Sequence, residues 1–451
     1  MNRTATMTLV RAALDAVEPR QAVHAFVRRH GDSLFVDNQE YDLKRYKHLF
    51  VVGGGKAGAP MAQALGEILG DRLTAGRINV KRGYARGYAR MSACAAPLPS
   101  ALTLCEAGHP IPDQEGQQST AQMLELVREA GQDDLIFCLI SGGGSALMPA
   151  PVPGISLTDL QILTEAMLRC GATINEINTV RKHCSQVQGG QLARAAAPAT
   201  LVALILSDVV GSPLEIIASG PTVPDPSTFD DAYAVLKKYN LFDQIPSSIV
   251  EHIAAGRRGE VAETPKPDDP FLARVQNVII GSNALAARAA QTQAEALGFQ
   301  TLILSTYIEG EAREVGRVMA GIAKSIVAEG WPLPPPACVI AGGETTVTLR
   351  GNGLGGRNQE LALAAALALD GWTGITLATL ATDGGDGPTD AAGAIVDGHT
   401  VRRAHALGLS AHDSLMCNDA YRFFDALGDL IRTGPTNTNV NDLLFILADR
   451  T

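Results

Sequence analysis

Short apolar runs that end in glycine-rich loops and lead into helical patterns recur along this chain, and that unit narrows the folds open to it. The clearest case is HLFVVGGGKAGAPMAQALGEIL, residues 48–69. Leu49 to Val52 reads as a buried strand, and Ala57 to Leu69 carries Ala, Met, Leu and Ile at helical spacing. The loop between them, Gly53-x-Gly55-x-x-Gly58, fits the dinucleotide fingerprint in its proper context of strand, glycines and helix. Further candidate strands are LIFCLI, LVALIL, NVIIG, TLILS, ACVIA, TLATLA and LLFILA. Such runs alternating with longer helical patterns imply an α/β protein with a mostly parallel sheet.

A length of 451 residues implies two or three domains. The charged, proline-punctuated stretch GRRGEVAETPKPDDPF, residues 256–271, precedes a fresh strand and is the better boundary. The proline-rich GWPLPPP, residues 330–336, reads as a separator inside the C-terminal half. A net charge of -10 argues against nucleic acid as a partner. Of the seven cysteines, with no CxxC pair, most read as small core residues, which suits a reducing cytoplasm. The first 26 residues mix Arg, Asp and Glu into an apolar stripe, which is an amphipathic helix and not a signal peptide. No apolar run is long enough to span a membrane, so no membrane partner is expected.

The unusual composition sits just after the strands. LIFCLI runs into Ser141-Gly142-Gly143-Gly144-Ser145, and LVALIL into Ser207-Asp208. ACVIA runs into Gly342-Gly343-Glu344-Thr345, and TLATLA into Thr382-Asp383-Gly384-Gly385-Asp386. In open α/β sheets, ligands bind outside the carboxyl ends of the strands. Glycines there let the backbone approach a phosphate. Turns alone rarely need three glycines in a row, so a polyanionic ligand is the stronger reading. The nucleotide class is less regular. A dinucleotide site wants an acidic residue about twenty positions on, but the second strand offers Lys81 and Arg82. An NADP site stays open, although Lys56 would crowd the pyrophosphate. The Walker pattern and the protein-kinase HRD and DFG elements are absent.

Phosphoryl transfer needs cations for the moving group and carboxylates for Mg2+. Lys56 lies in a glycine loop, and Arg357 falls in the first turn of a strong helix. A cation there opposes the helix dipole, so Arg357 calls for an anionic partner. Asp208, Asp383 and Asp386 stand at strand ends, where carboxylates pack poorly but can hold Mg2+. Arg181, Lys182 and His183 form either a substrate clamp or a solvated helix face. His109, in GHPIPD, reads as a loop hydrogen-bonder before a base.

Together, VVGGGKAG, AGHPIPDQEG, LISGGGSAL, GATINEINTVRKHCSQVQGGQLA, LILSDVVGSPLEIIASGPTVPDPST, AGGETTVTLRGNGLGGRNQELALA, ATDGGDGPTDAAGA and TGPTNTNVND resemble the glycerate 2-kinases with a C-terminal MOFRL domain. They run in order over nearly the whole chain. The resemblance implies a large Rossmann-like N-terminal domain, about residues 5–262, and a smaller C-terminal α/β domain, about 272–451, with its MOFRL region near 336–447. It implies an active site in the interdomain cleft, with D-glycerate and ATP as substrates, Mg2+ as cofactor, and a cytoplasmic monomer or homodimer. Lys56, Asp208 and Arg357 fall on the family's catalytic positions. Substrate or nucleotide contacts fall on Gly53, Gly54, Gly55, Ser141, Gly142, Gly143, Gly144, Ser145, Glu344, Thr345, Asn358, Asp383 and Gly384, and metal contacts on Asp208, Asp383 and Asp386. Two departures stand out. The family's KGG reads Gln188-Gly189-Gly190, and its GTDG reads Gly384-Gly385-Asp386. Two alternatives remain: an NADP-dependent hydroxypyruvate reductase, favoured by the literal GxGxxG, and a non-catalytic ligand sensor.

Overall fold

The computed structural model describes residues 2–84 and 98–449. The chain divides into two compact units, Pro19–Ser207 with Ser212–Ile280, and Met1–Glu18 with Asp208–Gly211 and Gly281–Thr451.

In the first unit, a small antiparallel meander of β1 (Val27–His30), β2 (Ser33–Val36) and β3 (Gln39–Asp42) precedes the main sheet. That sheet holds β4 (His48–Gly54), β5 (Leu73–Lys81), β6 (Leu102–Ala107), β7 (Asp134–Ile140), β8 (Thr200–Leu206) and β9 (Val275–Gly281). Their spatial order is β6–β5–β4–β7–β8–β9, and the pairings from β6 through to β8 are all parallel. This is the doubly wound Rossmann order, in which the direction of winding reverses between β4 and β7. Every residue of β7 is buried, so DLIFCLI reads as a continuous apolar run and not as an alternation.

The second unit has β10 (Gln300–Glu311), β11 (Ala337–Thr346), β12 (Ile375–Ala381), β13 (Gly393–Asp397), β14 (Leu430–Ile431) and β15 (Asp442–Ala448), in the order β10–β11–β15–β12–β13–β14. Only β10 and β11 pair in parallel, and β15 runs antiparallel between β11 and β12. The expected mostly parallel sheet therefore describes the first unit and not the second. Strands β12 and β15 are buried throughout. An apolar run of that kind shows burial on both faces but carries no sign of direction.

Two boundaries differ from those read in the sequence. The break falls after Ile280, not within residues 256–271. The first helix, Arg3–Ala16, belongs to the second unit, where it packs on the helix Asn283–Ala296. Leu9, Val10 and Ala13 are its buried stripe, and the Asn2 N–H donates to Thr376 Oγ1 at 3.0 Å. Amphipathic spacing announces a buried face but not the partner that buries it. Among the described residues no helix is long and apolar enough to cross a membrane.

Leu9 is fully buried in this contact. Leu9→Ala should lower the unfolding free energy of the second unit by about 2–4 kcal/mol, read by urea denaturation. An unchanged midpoint would mean that the first helix is a loose arm.

Candidate functional site

In the first unit the loops after β4 and β7 are joined where the winding reverses. The Ala57 N–H donates to Ser141 Oγ at 3.0 Å, and the Lys56 N–H to the Gly142 carbonyl at 2.9 Å. Gly55 makes this approach possible. Its φ is +154°, and a Cβ there would lie 2.0 Å from Ser141 Oγ. Gly53 and Gly54 end β4 and keep its backbone against β7. Gly143 has φ +85°, and a Cβ on it would meet His109 Cδ2 at 2.9 Å and Lys56 Cγ at 3.6 Å. Lys56 and His109 therefore flank the same loop. Among the described residues the Gly142 and Gly143 N–H groups have no hydrogen-bond acceptor, and Lys56 has no ion-pair partner. Two donors and an ammonium group around one glycine loop make an anion cradle. Gly144 starts a short helix whose next residue, Ser145, is fixed by its Oγ, 2.9 Å from Ser219 Oγ.

Burial, then the charges of Lys56 and Lys81, holds the His109 imidazole below its ordinary pKa. Among the described residues no side-chain hydrogen bond ties it down, contrary to the loop role read in the sequence.

In the second unit Arg357 opens the helix Arg357–Leu369 and has the anionic partners that its position demanded. Its Nε and Nη2 donate to Asp442 at 2.5 and 3.2 Å, and its Nη1 to Glu344 Oε1 at 2.8 Å. Burial works against the guanidinium charge, but Asp442 and Glu344 outweigh it and raise the pKa. Burial also raises the pKa of Asp442, with Arg357 pulling the other way. Asn441 Nδ2 bridges Glu344 Oε2 and the Asp208 carbonyl, both at 2.9 Å. Arg357, Thr345, Gly355, Gly356 and Asp383 line a cavity of about 710 Å³. Asp383 is exposed there, and its Oδ1 accepts the Gly385 N–H at 3.1 Å.

Three sequence-read residues are engaged in the unit's own packing, although Asp386 also lines the cavity. Asp386 is buried and caps the Arg357 helix. Its two oxygens accept the Asn358 and Gln359 N–H groups at 3.1 and 2.8 Å. Both are thus committed to a helix terminus, so this carboxylate does not fit a metal. The Asn358 side chain is buried and lies 3.4 Å from Asp386 Oδ1, within the same cap. Gly384 is packed so closely that a Cβ would meet the Gly434 carbonyl at 2.1 Å. Conversely, Asn441 and Asp442 were not singled out in the sequence. Their signals were a polar pair directly before the apolar run LLFILA and their place at the end of the motif TGPTNTNVND.

Residues 5–254 match the family model described as a domain of unknown function, DUF4147, and residues 337–442 match the MOFRL family. A glycerate 2-kinase of Pyrococcus horikoshii is 41% identical over 98% of this chain and 96% of its own. A D-glycerate 2-kinase of Thermotoga maritima is 44% identical over 88% of this chain and 90% of its own. A protein of Agrobacterium vitis, 42% identical over 88% of this chain and 86% of its own, carries a provisional hydroxypyruvate reductase name. A crystal structure of a glycerate kinase from Thermotoga maritima matches with a TM-score of 0.87 at 40% identity, covering 99% of each chain.

Asp386→Ala should destabilise the second unit by about 2–3 kcal/mol, because two buried N–H groups lose their acceptor. Asn should cost less, as one side-chain oxygen remains. Burial pushes the Asp386 carboxyl up to about 7 from 3.8. The folded state therefore holds an extra proton between those values, and this group's contribution is lost as pH rises through about 7. Denaturation of Asp386→Asn from pH 5 to 8 should show a flatter stability profile than the parent.

Proposed function

This chain belongs to the glycerate kinase family in its DUF4147–MOFRL form, and from that premise we propose that it transfers the γ-phosphoryl group of ATP to the 2-hydroxyl of D-glycerate, giving 2-phosphoglycerate and ADP. The observation that carries the reading is the cradle of Lys56 with the Gly142 and Gly143 N–H groups, at the winding reversal of a Rossmann sheet. It supplies one cation and two fixed donors to an anionic reactant, which is most of what phosphoryl transfer asks of a protein. Gly54 and Ser141 support the cradle through their backbone and side chain.

The second unit carries its own phosphate-type cation, Arg357. A guanidinium has five N–H donors, and Asp442 and Glu344 occupy one on each of its three nitrogens. The remaining two are available to a phosphate oxygen, and the carboxylates fix the plane in which they point. Thr345 lines the same cavity and Glu344 orients the arginine.

Mg2+ is usually held by one or two carboxylates plus substrate phosphates. Asp383, exposed on the cavity with one oxygen lightly engaged, fits that demand, with the half-buried Asp208 as the second candidate. The ion would neutralise charge on the phosphoryl oxygens when bound. Among the described residues no cluster of three or more His, Cys, Asp or Glu is arranged as a metal cage. The protein would work in the cytoplasm on small molecules, as a monomer or homodimer.

The test pairs two assays on purified protein. Release of ADP from MgATP should depend on D-glycerate, and an enolase-coupled readout should register 2-phosphoglycerate without added mutase. Lys56→Ala and Arg357→Ala should each lower kcat/KM roughly 100- to 1000-fold. NADPH oxidation with hydroxypyruvate and a silent kinase arm would instead make the glycine loop a dinucleotide site.

A further inference from the structure

Arg181, Lys182 and His183 occupy the last turn of the helix Ile174–His183, and the structure gives them different fates. Lys182 is 5% exposed and pairs with Asp225 at 3.3 Å. His183 is buried, with its Nε2 2.9 Å from Glu263. Both are spent on internal carboxylates. Arg181 is not. Among the described residues it has no carboxylate within ion-pair distance, and its one hydrogen bond is a long 3.5 Å contact from Nη2 to the Ser145 carbonyl.

That contact does not explain the arginine. Gln188 Nε2 already donates to the Ser145 carbonyl at 3.3 Å, and Ser219 fixes the Ser145 hydroxyl. Placement at a helix C-terminus is favourable for any cation, but it does not compensate for removing a guanidinium from water. Arg181 is partly buried, and burial lowers its pKa. A guanidinium in that state is completed by an anion, most favourably a carboxylate or phosphate gripped by two parallel N–H groups. The acceptor it contacts belongs to the loop whose Gly142 and Gly143 N–H groups are themselves without acceptors among the described residues. Three independent donor groups thus stand at one loop, and among the described residues none of them is paired with a protein carboxylate.

We propose that Arg181 is a substrate-binding residue whose guanidinium takes the carboxylate of a small hydroxy-acid acceptor seated on the Ser141–Ser145 loop, selecting anionic acceptors over neutral polyols. The identity of the acceptor rests on the kinase reading above. The assignment divides the work of the loop: Arg181 anchors the carboxylate, and Lys56 is left for the phosphoryl group in transit.

The test uses the full chain with Arg181→Met and Arg181→Lys. Arg181→Met should raise KM for D-glycerate roughly 30-fold or more, with KM for ATP within about twofold. Arg181→Lys, which keeps the charge but loses the planar fork, should fall between and covers the case in which the Met variant does not fold. Preference for D-glycerate over glycerol should shrink in the same order. A rise in KM for ATP in place of D-glycerate would assign Arg181 to the nucleotide and overturn the proposal. Unchanged KM values with a lowered melting temperature would make it a helix-end residue only, and would also overturn it. Calorimetric titration with D-glycerate separates this inference from the one it rests on. Glycerate binding that is lost in the variants, in a protein with no turnover, would sink the kinase reading and leave Arg181 standing. Turnover with unaltered glycerate binding would do the reverse.

Discussion

The short joint between the loops of β4 and β7 is the constraint on which the first unit's chemistry depends. Ala57 and Lys56 each donate a backbone N–H across it, to Ser141 Oγ and the Gly142 carbonyl. The joint closes only because Gly55 has no side chain, since a methyl group there would occupy the space of Ser141 Oγ. With the loops tied together, Lys56 is carried to the rim of the Ser141–Ser145 turn and the amides of Gly142 and Gly143, without an acceptor among the described residues, keep their orientation. Preorganised donors lose little freedom when an anion arrives, which is why backbone amides in glycine loops serve this purpose.

The second unit solves the opposite problem. Its cation stands at a helix N-terminus, the least favourable place for positive charge. Asp442 and Glu344 hold Arg357 from the side, while Asp386, not Arg357, meets the helix dipole. Removing Asp386 leaves two unsatisfied amides, and removing Asp442 or Glu344 leaves guanidinium N–H groups without their acceptor. The cap and the ion cluster thus meet at the start of one helix, and Arg357 and Asp386 both line the cavity beside it.

Much of this was legible beforehand, because it rested on local rules. Lys56 within three glycines, and Arg357 directly after Gly355-Gly356 at a helix start, are local anomalies that declare a need for an anion. Asp386 illustrates the limit. In sequence it is a carboxylate at a strand end beside Asp383, and the two cannot be told apart. In the structure both line the cavity, but one is exposed there and the other is buried, with both oxygens taken by the helix that begins 29 residues earlier. His109 and Arg181 were ambiguous for the same reason, since a side chain's partners lie far away in the chain.

The sequence alone determined the α/β class, the eight strands it marked as apolar runs, the glycine loops at the ends of several of them and the family. These follow from periodicity, from turn chemistry and from motif order, which are properties of neighbouring residues. The tertiary structure decided the antiparallel insertion of β15 between β11 and β12, the transfer of the first helix to the C-terminal unit, and which of several similar charges are spent on internal partners. Those outcomes depend on contacts between residues tens to hundreds of positions apart, and hydrophobic pattern specifies that a face will be buried without specifying against what.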